Sequence, residues 1–217
     1  ADNAVGNLVV NPGGPGGSGV DYAYSYETAF TKAVSEAFNI VGFDPRGVGR
    51  SSAIDCLTNA ETDQAYASNS YPLNEAENAQ LQADSKDFAE KCKSENESLA
   101  LYSTANAARD MDILRELIGD QKLNFLGKSY GTYLGTLYAK LFPDKVGRFV
   151  LDGAVDPTLS SAQQTLQQAV GFDSAFNAFA ADCLTQSGCA LDKDAATQIQ
   201  DKLSELREKP LPVGDRK

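Results

Sequence analysis

Apolar positions along the chain fall into two rhythms. Short apolar runs at residues 8–10, 39–43, 123–126 and 148–151 read as buried strands, and between them apolar side chains return every three or four positions. Residues 22–37 carry Ala23, Tyr26, Phe30, Ala33 and Ala37 at that spacing, which predicts one helix. Ser103 or Thr104 caps a second helix, with Ala107, Met111, Leu114 and Ile118 facing inward and Gly119 ending it. A third begins after Ser129 and runs through Tyr133, Leu134, Leu137, Tyr138 and Leu141. Strand, helix and strand in succession predict parallel crossovers, so the fold class is α/β, a parallel sheet with flanking helices.

From Thr158 the strand rhythm stops. Leu166, Ala169, Phe172, Phe176, Phe179 and Cys183 form one helical stripe, and Ala196, Ile199, Leu203 and Leu206 another. Two parts are therefore expected, an α/β core over 1–157 and a helical segment over 158–217. Within the core, residues 53–100 are polar and rich in Asn, Ser and Glu, with one helical face at Leu81, Ser85, Phe88 and Cys92. That composition predicts an excursion over the surface.

Composition narrows the picture. The 217 residues are 42% apolar, enough for a sizeable core. No run approaches the roughly 18 apolar residues of a membrane span, and the first residues lack the basic start and apolar middle of a signal peptide. A net charge of -11 argues against nucleic acid or an anionic membrane as partner, because phosphate binding needs clustered Lys and Arg. Four cysteines, Cys56, Cys92, Cys183 and Cys189, lack the C-x-x-C spacing of metal or redox sites. Three disulfide connectivities are open; the short loop around Gly188 favours Cys183 with Cys189, leaving Cys56 with Cys92. Disulfides imply an oxidising compartment and hence export.

The candidate chemistry sits where strand meets helix. Gly127-Lys128-Ser129-Tyr130-Gly131 fits G-x-S-x-G between a predicted strand and a predicted helix, the setting of a nucleophile elbow. Glycines around a serine also occur in ordinary loops, so the flanking elements carry much of this reading. Residues 11–19, NPGGPGGSG, hold five glycines and two prolines. So bare a loop lets main-chain amides approach an anion, although the Walker pattern is absent and a rigid linker would look similar. In DPRGVGRSS, residues 44–52, Asp44, Arg46 and Arg50 could bind a substrate carboxylate; an Asp–Arg contact bracing the turn is the expected role. Asp152, ending the fourth strand, is placed either as a triad acid or to hydrogen-bond the following turn, the latter being expected.

Taken together, NPGGPGGSG, GFDPRGVGRS, ANAARDMDILRELIG, GKSYGTYLG and VLDGAVDP, in this order and covering most of the chain, resemble the secreted tripeptidyl aminopeptidases of actinomycetes and similar bacteria. These are α/β-hydrolase serine peptidases related to prolyl aminopeptidases. The resemblance implies Ser129 as nucleophile, the Tyr130 and Gly14 amides as oxyanion hole, and 158–217 as the start of a helical lid that recognises a free substrate N-terminus. It implies no cofactor and no metal. Family members also supply an aspartate and then a histidine downstream, and this sequence contains no histidine. The expectation is a partial α/β-hydrolase fold, inactive alone, whose partners are a peptide with a free N-terminus and the missing C-terminal segment. Two other readings stay open: a hydrolase-like module that only binds peptides or a partner chain, and an esterase of the same fold.

Overall fold

In the computed structural model, which describes residues 4–68, 70–192 and 194–212, the four apolar runs form one parallel sheet. Its strands are β1 (Asn7–Asn11), β2 (Asn39–Gly42), β3 (Leu123–Lys128) and β4 (Val146–Asp152), in the order β2-β1-β3-β4. Val9 pairs with Val41 on one side and Phe125 on the other, and Phe125 pairs with Phe149. From β1 the chain crosses outward to β2, and from β3 outward to β4. The crevice at the C-terminal ends of β1 and β3 is thus a topological switch point, where α/β sheets place ligands. Residues 1–3, which enter the expectation about a signal peptide, and residues 213–217, the end of the expected helical segment, lie outside the described residues.

The core gathers on one face of the sheet. Val9, Leu123 and Phe125 point there and meet Ala107, Ala108 and Met111 of helix α6 (Thr104–Leu117) and Leu134 and Tyr138 of helix α7 (Tyr130–Leu141). Burying each large apolar side chain of this kind contributes about 1.5–3 kcal/mol. Ser103, not Thr104, is the N-cap of α6, its side chain accepting from the Asn106 amide.

The single helix predicted over 22–37 is three short ones: α1 (Gly19–Tyr24), α2 (Tyr26–Ala29) and α3 (Lys32–Ala37). Phe30 and Thr31 take extended backbone angles between α2 and α3, which turns the Phe30 ring to 5.3 Å from that of Tyr22. Helical spacing survived because consecutive short turns keep apolar residues three or four apart. Residues 53–100 are a surface excursion, with α4 (Asn59–Ala67) and α5 (Glu75–Glu95) burying no residue and the Cys56–Cys92 disulfide tying the segment before α4 to the last turn of α5.

The chain divides into compact units at 1–157 and 158–217. The second unit contains α8 (Ser161–Cys183) and α9 (Ala195–Glu208), with Cys183–Cys189 closing the turn after α8. The expected stripe on α8 is only partly covered: Phe176 is half-buried, whereas Leu166, Phe172 and Phe179 are exposed and Ala180 is the buried position. On α9 the buried alanine is Ala195 rather than Ala196.

A charge cluster built on the buried Arg115 joins α6 to α7. Arg115, 3% exposed, donates to Asp112 Oδ1 at 2.7 Å, to Glu116 and to the Asp120 carbonyl, and the Tyr138 hydroxyl donates to the same Asp112 oxygen at 2.9 Å. The hydrogen bond from Arg115 holds the Asp112 carboxyl below the usual range, with Tyr138 adding to it against the opposing effect of burial. A carboxyl depressed in the folded state contributes stability that is complete above its unfolded pKa of about 3.9 and is lost as pH falls through the folded value. We therefore expect urea stability to decline on acidification below about pH 4. Asp112→Asn should lose about 2 kcal/mol at pH 7, because Arg115 stays buried with a weaker partner, and show a shallower acid slope. Parallel urea titrations at pH 7 and pH 3 check this; an unchanged slope would remove Asp112 from the account.

Candidate active site

Ser129 stands between β3 and α7 with φ 52° and ψ -120°, a left-handed backbone that a residue with a Cβ adopts at a cost of about 1–3 kcal/mol. Contacts on both sides hold it there. Its amide donates to the Asp152 carbonyl at 2.9 Å, and its carbonyl accepts from the Thr132 amide at 2.9 Å and the Thr132 hydroxyl at 2.7 Å. The residue is exposed, and its hydroxyl makes no hydrogen bond among the described residues. The turn tolerates no bulk at its glycines. A Cβ on Gly127 would stand 2.3 Å from the Gly131 carbonyl oxygen, and one on Gly131 would stand 2.7 Å from that of Asn11.

The glycine loop lies directly against this turn. A Cβ on Gly13, whose φ is 98°, would come within 2.4 Å of the Lys128 carbonyl and 3.0 Å of Ser129 Cβ. Asn11, 1% exposed at the end of β1, accepts the Gly13 amide on Oδ1 at 3.0 Å, and the Gly13 carbonyl accepts from Gly17 at 3.1 Å. That commits the Gly13 amide within the loop and leaves the Gly14 amide without an acceptor among the described residues. The Tyr130 amide, at the first position of α7, is likewise uncommitted, and the helix dipole adds partial positive charge at that end. Tyr130 is anchored by its side chain, whose hydroxyl lies 2.8 Å from Thr104 Oγ1 at the start of α6. Burial pushes this phenol above its ordinary value, so it remains protonated and hydrogen-bonded.

Asp44 fixes the far end of the loop. Its carboxylate accepts from the Ser18 hydroxyl at 2.6 Å and from the Val20 and Arg50 amides at 3.3 and 3.0 Å, with the Arg50 guanidinium at 3.6 Å. Burial pushes the Asp44 carboxyl up, but these donors outweigh it and hold the group below the usual range. The expected Asp–Arg brace is therefore present, and it also clamps the loop through Ser18. Arg46 goes elsewhere: it grips Asp110 of α6 with two hydrogen bonds of 2.8 and 2.7 Å and caps the Leu101 carbonyl. Nothing within either local segment signals a pairing across 64 positions.

Two neighbours of Ser129 bear on its surroundings, and Asp152 departs from its expected role. Asp152 supports the elbow through its main-chain carbonyl, and the turn after β4 is bonded by Thr132 Oγ1, which accepts the Val155 amide at 2.9 Å, rather than by the Asp152 carboxylate. Lys128 lies with its ammonium 5.5 Å from the centre of the Tyr22 ring, on the opposite face of β3 from Phe125. Tyr22 beside it holds the Lys128 ammonium above the usual lysine value, so it remains charged and is no base for Ser129. The concavities lined by Arg46, Ser98 and Tyr102 and by Arg115, Lys122 and Lys145 include neither Ser129 nor the glycine loop. No cluster of side chains among the described residues could hold a metal ion.

A strained serine at a strand-to-helix junction, beside a glycine loop at the sheet's switch point, is the layout of the α/β-hydrolase fold, whose family profile matches residues 6–217; the chain belongs to that family. Among its relatives it is 42% identical over 199 residues to serine protease Hip1 of Mycobacterium tuberculosis, covering 90% of this chain and 38% of that protein. It is 38% identical over 216 residues to the tripeptidyl aminopeptidase of Streptomyces lividans, covering 95% and 40%. A protein named carboxylesterase B, also from Mycobacterium tuberculosis, is 41% identical over 198 residues, covering 89% and 38%. The chain thus spans about two fifths of the length of these relatives.

Proposed function

We propose that this chain carries the nucleophile and oxyanion-binding portion of an exported bacterial serine exopeptidase that releases short peptides from free N-termini. The observation that carries the reading is the exposed Ser129 hydroxyl on a strained elbow, unbonded among the described residues, with Gly13 packed against it and the Tyr130 and Gly14 amides uncommitted. Ser129 Oγ attacks the scissile carbonyl carbon, and the resulting oxyanion is received by the two amides, each worth roughly 3 kcal/mol of transition-state stabilisation. Collapse expels the amine and leaves an acyl-enzyme, which water then hydrolyses. Both half-reactions need a group that takes a proton from the attacking oxygen and returns it to the departing atom, the amine nitrogen in the first and Ser129 Oγ in the second. The 217 residues contain no histidine, so that base comes from a segment outside them, expected from the same protein. The relatives named serine protease and tripeptidyl aminopeptidase favour a peptide substrate, and the two disulfides favour an oxidising compartment.

An esterase is the second reading, favoured by the likeness to carboxylesterase B. One assay separates them. With the histidine-bearing segment supplied in one longer chain, unblocked tripeptidyl substrates should be cleaved, and N-acetylation should greatly reduce the rate. Equal cleavage of blocked and unblocked peptides, or hydrolysis confined to simple esters, would reject the exopeptidase. Absence of any hydrolysis in the completed protein would instead favour a module that binds peptides without cutting them.

A further inference from the structure

Thr132 is fully buried in the first turn of α7, and its hydroxyl is bonded in both senses, donating to the Ser129 carbonyl at 2.7 Å and accepting the Val155 amide at 2.9 Å. Its own amide donates to the same carbonyl at 2.9 Å. The Ser129 carbonyl and the Tyr130 N–H belong to one peptide group. In a trans peptide the two point in opposite directions, so whatever holds the oxygen aims the hydrogen. Donors on a carbonyl oxygen also draw electron density from the amide nitrogen, which strengthens the N–H as a donor. The Ser129 amide, on the preceding peptide, is held separately by the Asp152 carbonyl. A Thr132 deletion therefore acts on the peptide between Ser129 and Tyr130.

We propose that Thr132 is a positioning residue for the oxyanion hole: its hydroxyl orients and polarises the peptide group that presents the Tyr130 amide. Val155, just beyond the end of β4, completes the arrangement by fixing the hydroxyl so that its proton is directed at the Ser129 carbonyl. This inference rests on Ser129 as nucleophile and Tyr130 as oxyanion donor. It goes further by locating a residue that touches no substrate yet affects only the transition state. Because the amide matters most once negative charge has formed on the substrate oxygen, loss of its alignment lowers kcat and leaves KM nearly unchanged.

The test compares Thr132→Val, Thr132→Ser and Ser129→Ala in the enzyme completed with its histidine segment. Removing a whole oxyanion donor typically costs 10²–10³ in kcat, so misaiming one should cost on the order of 10- to 10²-fold. Thr132→Val is expected to show that drop with KM within about two-fold, and weaker binding of a peptidyl aldehyde, whose adduct is tetrahedral, by a similar factor. Thr132→Ser, which keeps the hydroxyl, should restore most of kcat. Should Thr132→Val fail to fold at the assay temperature, Thr132→Cys, whose thiol is a weaker donor, carries the test with the same expected direction. An activity loss that merely tracks the unfolded fraction, a change in KM alone, or no rescue by serine would overturn the inference. Full activity in Ser129→Ala would instead overturn the nucleophile assignment beneath it, whereas an inactive Ser129→Ala beside an unimpaired Thr132→Val would sink the Thr132 role alone.

Discussion

Ser129→Ala in the completed enzyme is expected to lower kcat by several orders of magnitude, on the order of 10⁴ to 10⁶, without loss of the fold. The stability half of this result follows from the local geometry. The hydroxyl is exposed and makes no hydrogen bond among the described residues, so its removal orphans no partner there. Ser129→Gly makes the sharper comparison, because glycine adopts φ 52° without the Cβ penalty. That variant should be equally inactive yet about 1 kcal/mol more stable, its gain from the native backbone slightly reduced by the greater freedom of the unfolded chain. Urea unfolding and peptidase assays on the three proteins decide the matter. A Ser129→Gly variant that is less stable than the parent would show that the elbow is relaxed rather than held under strain.

Gly127→Ala should be strongly destabilising for a single added methyl. Its Cβ would sit 2.3 Å from the Gly131 carbonyl oxygen and 2.6 Å from the Phe125 ring, both fixed by the elbow and the buried cluster. Relief would require moving the start of α7 away from β3. We expect a loss of at least about 3 kcal/mol, with the exposed Ser129 turn becoming an early site of limited proteolysis. Gly171→Ala, in α8 with nothing near its Cβ, is the control and should be neutral or up to about 1 kcal/mol stabilising. Comparable urea midpoints for the two variants would contradict the close approach of α7 to β3.

The sheet and the elbow were legible because each is written locally. Leu123 and Phe125 alternate with half-buried neighbours, glycines flank Ser129, and Ser103 precedes an apolar periodic run, so strand, turn and capped helix each follow from a few adjacent residues. The broken helix over 22–37 was illegible for a complementary reason: apolar spacing records which residues face inward but not whether the backbone pauses between turns. The clamp of Asp44 on Ser18, the grip of Arg46 on Asp110 and the bond from Val155 to Thr132 lie beyond any local pattern, since each joins elements that only the fold brings together. Thr132 in particular reads in sequence as an ordinary helical residue. On α8, periodicity found the helix but not the covered side, because exposure is fixed by what packs there.

Strand β4 carries a further consequence, for handling rather than chemistry. It is an edge of the sheet among the described residues, and Val150 and Leu151 on it are 57% and 37% exposed. An unpaired edge offers a row of free amides and carbonyls to any other extended segment, and apolar side chains on both faces of the strand make such a match favourable. Only Arg148 and Asp152 interrupt the run with charge. At high concentration or high salt, where the repulsion from a net charge of -11 is screened, copies of these 217 residues should begin to associate through this strand, and a lysine at Val150 would be the natural gatekeeper.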